Sequence, residues 1–288
     1  MAKQYSNAFL QVKYMIATTT PPLRVGIAGL GAIGLDVARR LDTGIDGLML
    51  TGIAARDEAK AVAKLASFKQ PPAMCSLTAL AEQADIVVES LPAAAFRDIA
   101  VPVLMRGKIL IAISSAALLE AEDLPVLARR HGGRIIVPSG AMMALDALAA
   151  MAEGEITSAK LISRKPPNGL RGAPYLAEQG ISLEALTAPL CVFSGNARAA
   201  AKAFPANVNV AATLSLAGIG PDRTQVEVWA DPSLVRNTHA IEIASDSALL
   251  SATIENLPMA DNPRSSRITA MSIVSTLRRL TATLQVGS

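Results

Sequence analysis

Short apolar runs alternate with helical patterns through the first half of the chain. Five of these runs have the near-continuous Val, Ile and Leu content of strands that are covered on both faces. They span residues 23–29, 48–55, 84–90, 108–114 and 133–138. Segments with helical spacing follow the strands, as at 33–41 and 57–67. Strands that alternate with helices in this way predict parallel βαβ units.

The pattern changes after Pro138, where the apolar segments become longer and the helical ones fewer. Five of these segments are predicted to be strands, and they span 158–167, 187–195, 223–232, 238–246 and 248–258. Helical spacing recurs at 196–204, at 207–218 and from Arg264 to Leu280. This arrangement predicts a second domain of the α+β class with a largely antiparallel sheet.

The first predicted strand runs directly into a Gly-x-Gly-x-x-Gly sequence that opens a helix. In this context the first glycine permits a tight turn, the second lets a pyrophosphate approach the backbone, and the third lets helix and strand pack closely. The helix N-terminus adds free N–H groups for phosphate. We therefore assign Gly29, Gly31, Ala32, Ile33 and Gly34 to cofactor binding. The alternative is that the glycines serve only the sharp turn.

The sequence thus predicts an α/β protein with an N-terminal Rossmann dinucleotide-binding domain and an α+β catalytic domain. Residues 1–22 form an extension, 23–137 the dinucleotide-binding domain and 138–262 the substrate and dimerisation domain. Residues 263–288 form a C-terminal helix that we expect to pack back on the dinucleotide-binding domain.

The residue after the second strand bears on the choice of cofactor. A site that prefers NAD commonly has an acidic residue there, about 20 residues after the glycines. The chain instead has Ala54-Ala55-Arg56-Asp57. We predict that Arg56 stacks on adenine and contacts a 2′-phosphate, so that the site accepts NADP as well as NAD. The alternative for Arg56 is a solvated loop residue.

Composition narrows the range of partners. The chain is 51% hydrophobic and 18% charged, with a net charge of +3, and it has no cluster of basic residues. Nucleic acid is therefore not predicted as a partner. No apolar run reaches the ~18 to 20 residues of a membrane span, so a membrane is not predicted either. Cys75 and Cys191 are predicted to be free thiols in a reducing cytoplasm, and no metal site is expected from two histidines.

Several segments, most of them in the second half of the chain, have distinctive amino-acid sequences. They are "VPSGAMMALDAL" (137–148), "SRKPP" (163–167), "FPANVNVAATLSLAGIGPDRTQV" (204–226), "ADP" (230–232), "NTHAIEI" (237–243) and "NPRSS" (262–266). With the glycine motif, these segments resemble the L-aspartate dehydrogenase family. The resemblance implies homodimers and the NAD(P)-dependent interconversion of L-aspartate with iminoaspartate, or with oxaloacetate and ammonia. In that family iminoaspartate can feed pyridine nucleotide biosynthesis.

The same resemblance places the catalytic histidine on His239 and two cofactor contacts on Ala141 and Asn209. Histidine suits the task of general base because its unperturbed pKa is about 6.5. From the residues alone, His239 is equally well explained as a polar residue at the edge of a strand.

A dicarboxylate substrate requires charge-assisted hydrogen bonds from cations. The candidates are Lys165 with its neighbour Arg164, and Arg264, while Asn237 is placed to bond a carboxylate or to orient His239. Three of them have simpler alternatives. Lys165 could be an exposed lysine beside a turn, Arg264 a surface arginine in the first turn of a helix, and Asn237 a turn asparagine.

The chain lacks glycines that are usual in the family at three places, namely 114–118, 142–144 and 245–249. We expect the extra side chains to narrow the nicotinamide or substrate pocket. Two other functions stay open at this point. One is a dehydrogenase or imine reductase for another small amino or 2-oxo acid, and the other is a non-catalytic dinucleotide sensor.

Overall fold

The computed structural model describes residues 21–205, 208–259 and 262–287, without the side chains of 262–265. The strands are β1 Leu23–Ala28, β2 Leu48–Ala54, β3 Ala73–Met74, β4 Ile86–Glu89, β5 Ile109–Ala112, β6 Arg134–Ile136, β7 Ile156–Lys165, β8 Leu190–Asn196, β9 Gln225–Ala230, β10 Asn237–Ser245, β11 Leu249–Asn256, β12 Pro258–Met259 and β13 Asn262–Ser266. The helices are α1 Ala32–Thr43, α2 Glu58–Leu65, α3 Leu77–Gln83, α4 Phe96–Met105, α5 Ser115–Leu118, α6 Leu124–His131, α7 Leu145–Met151, α8 Pro174–Glu178, α9 Ala197–Ala203, α10 Asn209–Ala217 and α11 Arg267–Thr281.

The first sheet is parallel and has the strand order β3-β2-β1-β4-β5-β6. Its central strands are buried because helices cover both faces, and Val25, Ile27 and Val87 have no exposed surface. The predicted Rossmann domain is confirmed. The strand order reverses between β1 and β4, and in such folds a dinucleotide binds beyond the carboxyl ends of the strands at that point. Only the two-residue edge strand β3 was not predicted.

The second sheet has the order β11-β10-β7-β9-β8, and all of its neighbouring strands are antiparallel except β7 and β9. The five predicted strands and the largely antiparallel pairing are confirmed. Successive residues of β7 point to opposite faces of the sheet. Leu161, Ser163 and Lys165 are buried on one face, while Lys160 and Ile162 are partly exposed on the other.

The partly exposed side of this sheet, which we call the open face, carries a mixture of apolar and paired charged groups. Lys160 Nζ lies 2.8 Å from Glu227 Oε1, and the guanidinium carbon of Arg164 lies 4.5 Å above the Trp229 ring. Arg164 therefore points away from Lys165, although the two are neighbours in sequence.

The C-terminal segment corrects one prediction. The helix begins at Arg267 and not at Arg264, because residues 262–266 form β13 instead and pair with β12. The Arg267 N–H then donates to the carbonyl of Leu257 at 2.9 Å, which ties the start of α11 to the end of the hairpin. Helix α11 packs in the same buried cluster as α1, through residues such as Ile273 and Leu277.

The segment that joins the two domains contains an unusual backbone conformation. Ala144 immediately precedes α7 and has φ 56° and ψ 31°, the left-handed region in which a Cβ atom is strained. Ala144 lies in the stretch 142–144, one of the three places where glycines were expected. Met142, two residues earlier, is buried in the core of the second domain.

Among the described residues, no helix combines the length and the apolar character that crossing a membrane would require.

Candidate active site

The turn between β1 and α1 has the geometry that a bound pyrophosphate needs. Gly29 has φ +97°, and a Cβ atom there would lie 2.5 Å from the Ser90 carbonyl oxygen. A Cβ on Gly34 would collide with the carbonyl of Gly29. A Cβ on Gly31 would meet nothing within 4 Å, so this glycine borders open space. No side chain caps α1, which leaves its first-turn amides, including those of Ala32 and Ile33, for an anion.

A groove of about 900 Å³ runs from this turn past the end of β2. Arg56 is exposed at its rim, and Lys60 and Lys64 also line it. Asp57 is used locally, because its Oδ1 accepts from the Lys60 N–H at 3.0 Å and caps α2. The groove beyond β2 is therefore lined by both basic and acidic side chains, and Arg56 is the one predicted to contact a 2′-phosphate.

A separate cavity of about 100 Å³ lies where the two domains meet. The dinucleotide-binding side contributes Ile33, Ser115 and the segment 138–141, which includes Ala141. The second domain contributes Lys165, Asn209, Thr213, Asn237 and His239, and Ser266 and Thr269 come from the C-terminal segment. Six residues predicted at distant points of the sequence therefore meet: Ile33, Ala141, Lys165, Asn209, Asn237 and His239.

His239 is 3% exposed near the start of β10, and Lys165 is 4% exposed at the end of β7. Burial, together with the positive charge of Lys165, lowers the pKa of His239 to about 3. Burial likewise lowers the pKa of Lys165 to about 8. His239 is consequently a neutral imidazole at physiological pH, which is the form that accepts a proton. The alternative of an exposed lysine beside a turn is wrong for Lys165.

Two asparagines tie the cavity to the linker between the domains. Asn237 is 5% exposed at the first position of β10 and pairs across the strands with Asn256. Asn256 Nδ2 donates to the carbonyl of Ala141 at 3.2 Å. The backbone at Ala141 is thereby held against the strand that carries His239.

Asn209 forms the second tie between the domains. Its Oδ1 accepts from the Ala116 N–H at 3.3 Å, and its carbonyl accepts from Ser115 Oγ at 2.9 Å. Thr213 Oγ1 donates to Ser115 Oγ at 3.1 Å. These bonds connect α10 to the end of β5 and fix the plane of the Asn209 amide at the cavity wall.

Sequence reasoning missed Glu89, the last residue of β4. Its side chain is fully buried and accepts hydrogen bonds from the Leu91, Ile113 and Ser114 N–H groups and from Ser114 Oγ, at 2.8 to 3.1 Å. Burial raises its pKa, against the effect of these donors. Glu89 therefore joins the loops that follow β4 and β5. The sequence offered one indication of such a role, because Glu89 is an acidic residue at the carboxyl end of a strand that is otherwise apolar.

The missing glycines have different consequences at their three positions. Within 114–118, Ala116 stands where the glycine is expected, and its N–H donates to Asn209 Oδ1. Residues 245–249 do not reach the cavity, because they lie at the opposite end of β10 from His239, about 20 Å away at roughly 3.3 Å per residue. The Asp246 N–H donates to Glu155 O instead. The expectation of a narrowed pocket is wrong at this turn.

Arg164 and Arg264 were predicted to bind substrate, but the described part of the structure does not place either side chain in the cavity. Arg164 lies on the open face of the second sheet, with its Nη1 3.8 Å from Asp231 Oδ2. The backbone of Arg264 belongs to β13, which ends at the cavity residue Ser266, but the side chain of Arg264 lies outside the described residues.

A glycine turn of this geometry, the strand order of the first sheet and a domain-junction cavity with a neutral histidine together define a nicotinamide-dinucleotide-dependent oxidoreductase. Residues 29–138 match the family described as homoserine dehydrogenase, NAD binding domain. Residues 146–280 match the family described as aspartate dehydrogenase, C-terminal.

Curated relatives specify the family further. The chain is 51% identical over 267 residues to L-aspartate dehydrogenase 3 of Bordetella bronchiseptica, covering 92% of this chain and 98% of that protein. It is 49% identical over 271 residues to L-aspartate dehydrogenase of Bradyrhizobium diazoefficiens, covering 94% and 96%. The crystal structure of aspartate dehydrogenase from Thermotoga maritima superimposes with a TM-score of 0.71 at 25% identity, over 92% and 99% of the chains. The chain belongs to the L-aspartate dehydrogenase family.

The lowered pKa of Lys165 predicts a pH-dependent stability. Between pH 8 and 10.5, the unfolded chain binds a proton at this lysine that the folded protein has released, so the free energy of unfolding rises with pH. Lys165→Met removes that contribution, which is about one proton, or roughly 1.36 kcal/mol per pH unit. Urea denaturation of both proteins across this pH range measures the difference.

Lys160→Met is the matched control. Lys160 lies on the same strand, but its hydrogen bond to Glu227 raises its pKa. The control should therefore keep the wild-type rise between pH 8 and 10.5. An identical pH dependence for Lys165→Met and the wild type would contradict the prediction.

Proposed function

We propose that this protein interconverts L-aspartate with iminoaspartate, and with oxaloacetate plus ammonia, using NAD or NADP. The observation that carries the proposal is the meeting of neutral His239, Lys165 and Asn237 in one cavity beside the dinucleotide-binding domain. The L-aspartate dehydrogenases that this chain resembles over nearly its whole length support the choice of substrate.

The bound nicotinamide supplies the hydride acceptor for oxidation at Cα, and the donor for the reverse reaction. Lys165 and Asn237 bind the substrate carboxylates, where a cation and an amide N–H₂ both donate hydrogen bonds. His239 takes a proton from the substrate ammonium, or from the water that attacks the imine. In the reductive direction the protonated imidazole returns that proton. The burial of Lys165, Asn237 and His239 strengthens each of these interactions.

The cofactor-binding residues are divided between the two cavities. Gly29, Gly31 and Gly34 and the first turn of α1 receive the pyrophosphate, and Arg56 receives the adenosine end. Ala141 and Asn209 contact the nicotinamide end, where their backbone and amide groups border the cavity that contains His239.

A spectrophotometric assay tests the reaction. Oxaloacetate with ammonium should oxidise NADH or NADPH faster than other 2-oxo acids do, and His239→Ala should lower kcat by roughly 10²- to 10⁴-fold, as for loss of a general acid–base group. His131→Ala is the control, because His131 is exposed at the end of α6. A wild-type enzyme with no aspartate-linked rate, or a preference for another 2-oxo acid, would exclude this substrate. Dinucleotide binding without turnover would favour a sensor.

Arg56 should determine the preference between the two cofactors. We expect Arg56→Ala to raise the KM for NADPH roughly tenfold or more, as loss of a charge-assisted hydrogen bond does, with a smaller effect on NADH. Arg39→Ala, which removes an exposed arginine of α1, is the control. An unchanged ratio of the two Michaelis constants would show that Arg56 does not contact a 2′-phosphate.

We propose further that the protein is a cytoplasmic homodimer, in which the open faces of two second sheets pack together. Both cysteines are free thiols, which suits a reducing compartment. On the open face, Ile162 pairs with Ala240 across the strands, and Trp229 lies near them beside Arg164. Aromatic residues and arginine are enriched at protein–protein interfaces.

The dimer is tested by sedimentation velocity. The wild type should sediment as a dimer, and Ile162→Asp should shift it toward the monomer, because an interface does not tolerate an unpaired buried charge. Val235→Asp is the control, since Val235 is 82% exposed and lies off the sheet. A monomeric wild type would contradict the proposal.

A further inference from the structure

Two buried side-chain atoms lack hydrogen-bond partners among the described residues: Ser163 Oγ and His239 Nδ1. A buried polar group without a partner costs about 1–3 kcal/mol, so such groups usually have a functional or a hydrated explanation. Both residues lie on inner strands of the second sheet, and both are 5% exposed or less.

These two residues face each other. His239 on β10 and Ser163 on β7 are direct partners in the antiparallel register. Directly opposed residues on one face have Cβ atoms roughly 4.5–5.5 Å apart. The hydroxyl and the imidazole therefore lie side by side, although no direct hydrogen bond joins them in this structure.

A small cavity borders the serine. It has a volume of about 10 Å³ and is lined by Ser163, Lys165 and apolar residues of β7, β9 and α10. That volume is close to the roughly 10–15 Å³ that a single water molecule needs. His239 does not line this space, which therefore leaves room for a small rotation of the Ser163 hydroxyl.

We propose that Ser163 is a positioning residue for His239. The Nδ1–H of the imidazole donates directly to Ser163 Oγ, after a small rotation of the hydroxyl. This bond fixes the tautomer in which Nε2 is unprotonated and faces the substrate cavity, where it accepts the substrate proton. The proposal rests on the proposed function for the role of Nε2, but the hydrogen bond and the tautomer do not depend on the substrate.

A hydroxyl differs from the carboxylate that orients many catalytic histidines. A carboxylate at Nδ1 would favour the imidazolium and raise the histidine pKa. Lys165 is the one charged group that acts on His239 among the described residues, and its charge has the opposite effect. A neutral partner orients the ring without making it a stronger base, so His239 stays unprotonated until a substrate enters.

The test compares an isosteric pair, Ser163→Thr and Ser163→Val, together with Ser163→Ala. Nitrogen-15 NMR of the histidine ring in the complete, cofactor-free protein reports the tautomer. The wild type and Ser163→Thr should show one tautomer with Nδ1 protonated, while the variants without a hydroxyl should show a mixture. In the aspartate assay, kcat should fall roughly three- to tenfold for Val and Ala, as for one lost hydrogen bond, with the KM of the dinucleotide unchanged.

Ser158→Ala is the control, because Ser158 is an exposed residue of the same strand. An unchanged tautomer in both Ser163→Val and Ser163→Ala would overturn the proposal, as would a single tautomer protonated at Nε2 in the wild type. These outcomes distinguish the positioning role of Ser163 from the proposed aspartate dehydrogenase activity. An inactive wild type with the expected tautomer would remove the proposed substrate and leave the positioning role supported.

Discussion

Two basic side chains share one desolvated cavity, and the chemistry of the site depends on this arrangement. Burial disfavours the charged form of both side chains, and the charge of Lys165 disfavours a protonated His239 further. The histidine therefore remains neutral. A substrate with two carboxylates changes the balance, because negative charge in the cavity favours a protonated Lys165 and a proton on His239. Binding of an anionic substrate and proton transfer at His239 are therefore expected to be coupled.

The cavity exists only where the two domains are held together. Three hydrogen bonds hold distant segments together at this junction. They join Asn209 with Ser115, Asn256 with Ala141, and Gly140 with Ser272 of the C-terminal helix. Each tie is a polar contact at the junction, and each joins segments far apart in sequence. Displacing one segment would therefore move groups on both sides of the reacting atoms, and small displacements matter greatly for such geometry.

The elements, the type of each sheet and the glycine motif were predictable from the sequence, whereas the strand register and the partners of buried side chains were not. The glycine motif, the strands and the helices follow from spacing within a few residues, and the family resemblance identified His239. The serine opposite that histidine depends on the register between β7 and β10, which no local pattern specifies. The start of the C-terminal helix was wrongly predicted at Arg264 for a similar reason. Residues 262–266 pair with the two-residue strand β12, so the helix begins only at Arg267. Glu89 was overlooked because its partners are backbone amides of two separate loops.

Ala144 has a left-handed backbone conformation at the junction of the domains, where its Cβ atom has two opposing effects. In the folded protein, its Cβ atom strains a left-handed backbone that glycine would adopt freely. In the unfolded chain, the same atom restricts the conformations available, so that less entropy is lost on folding. The two effects oppose each other in the free energy of folding. The linker that leads from the dinucleotide-binding domain into the catalytic domain is consequently stiffer in the unfolded chain than a glycine linker, which limits the range of orientations the domains sample before they dock.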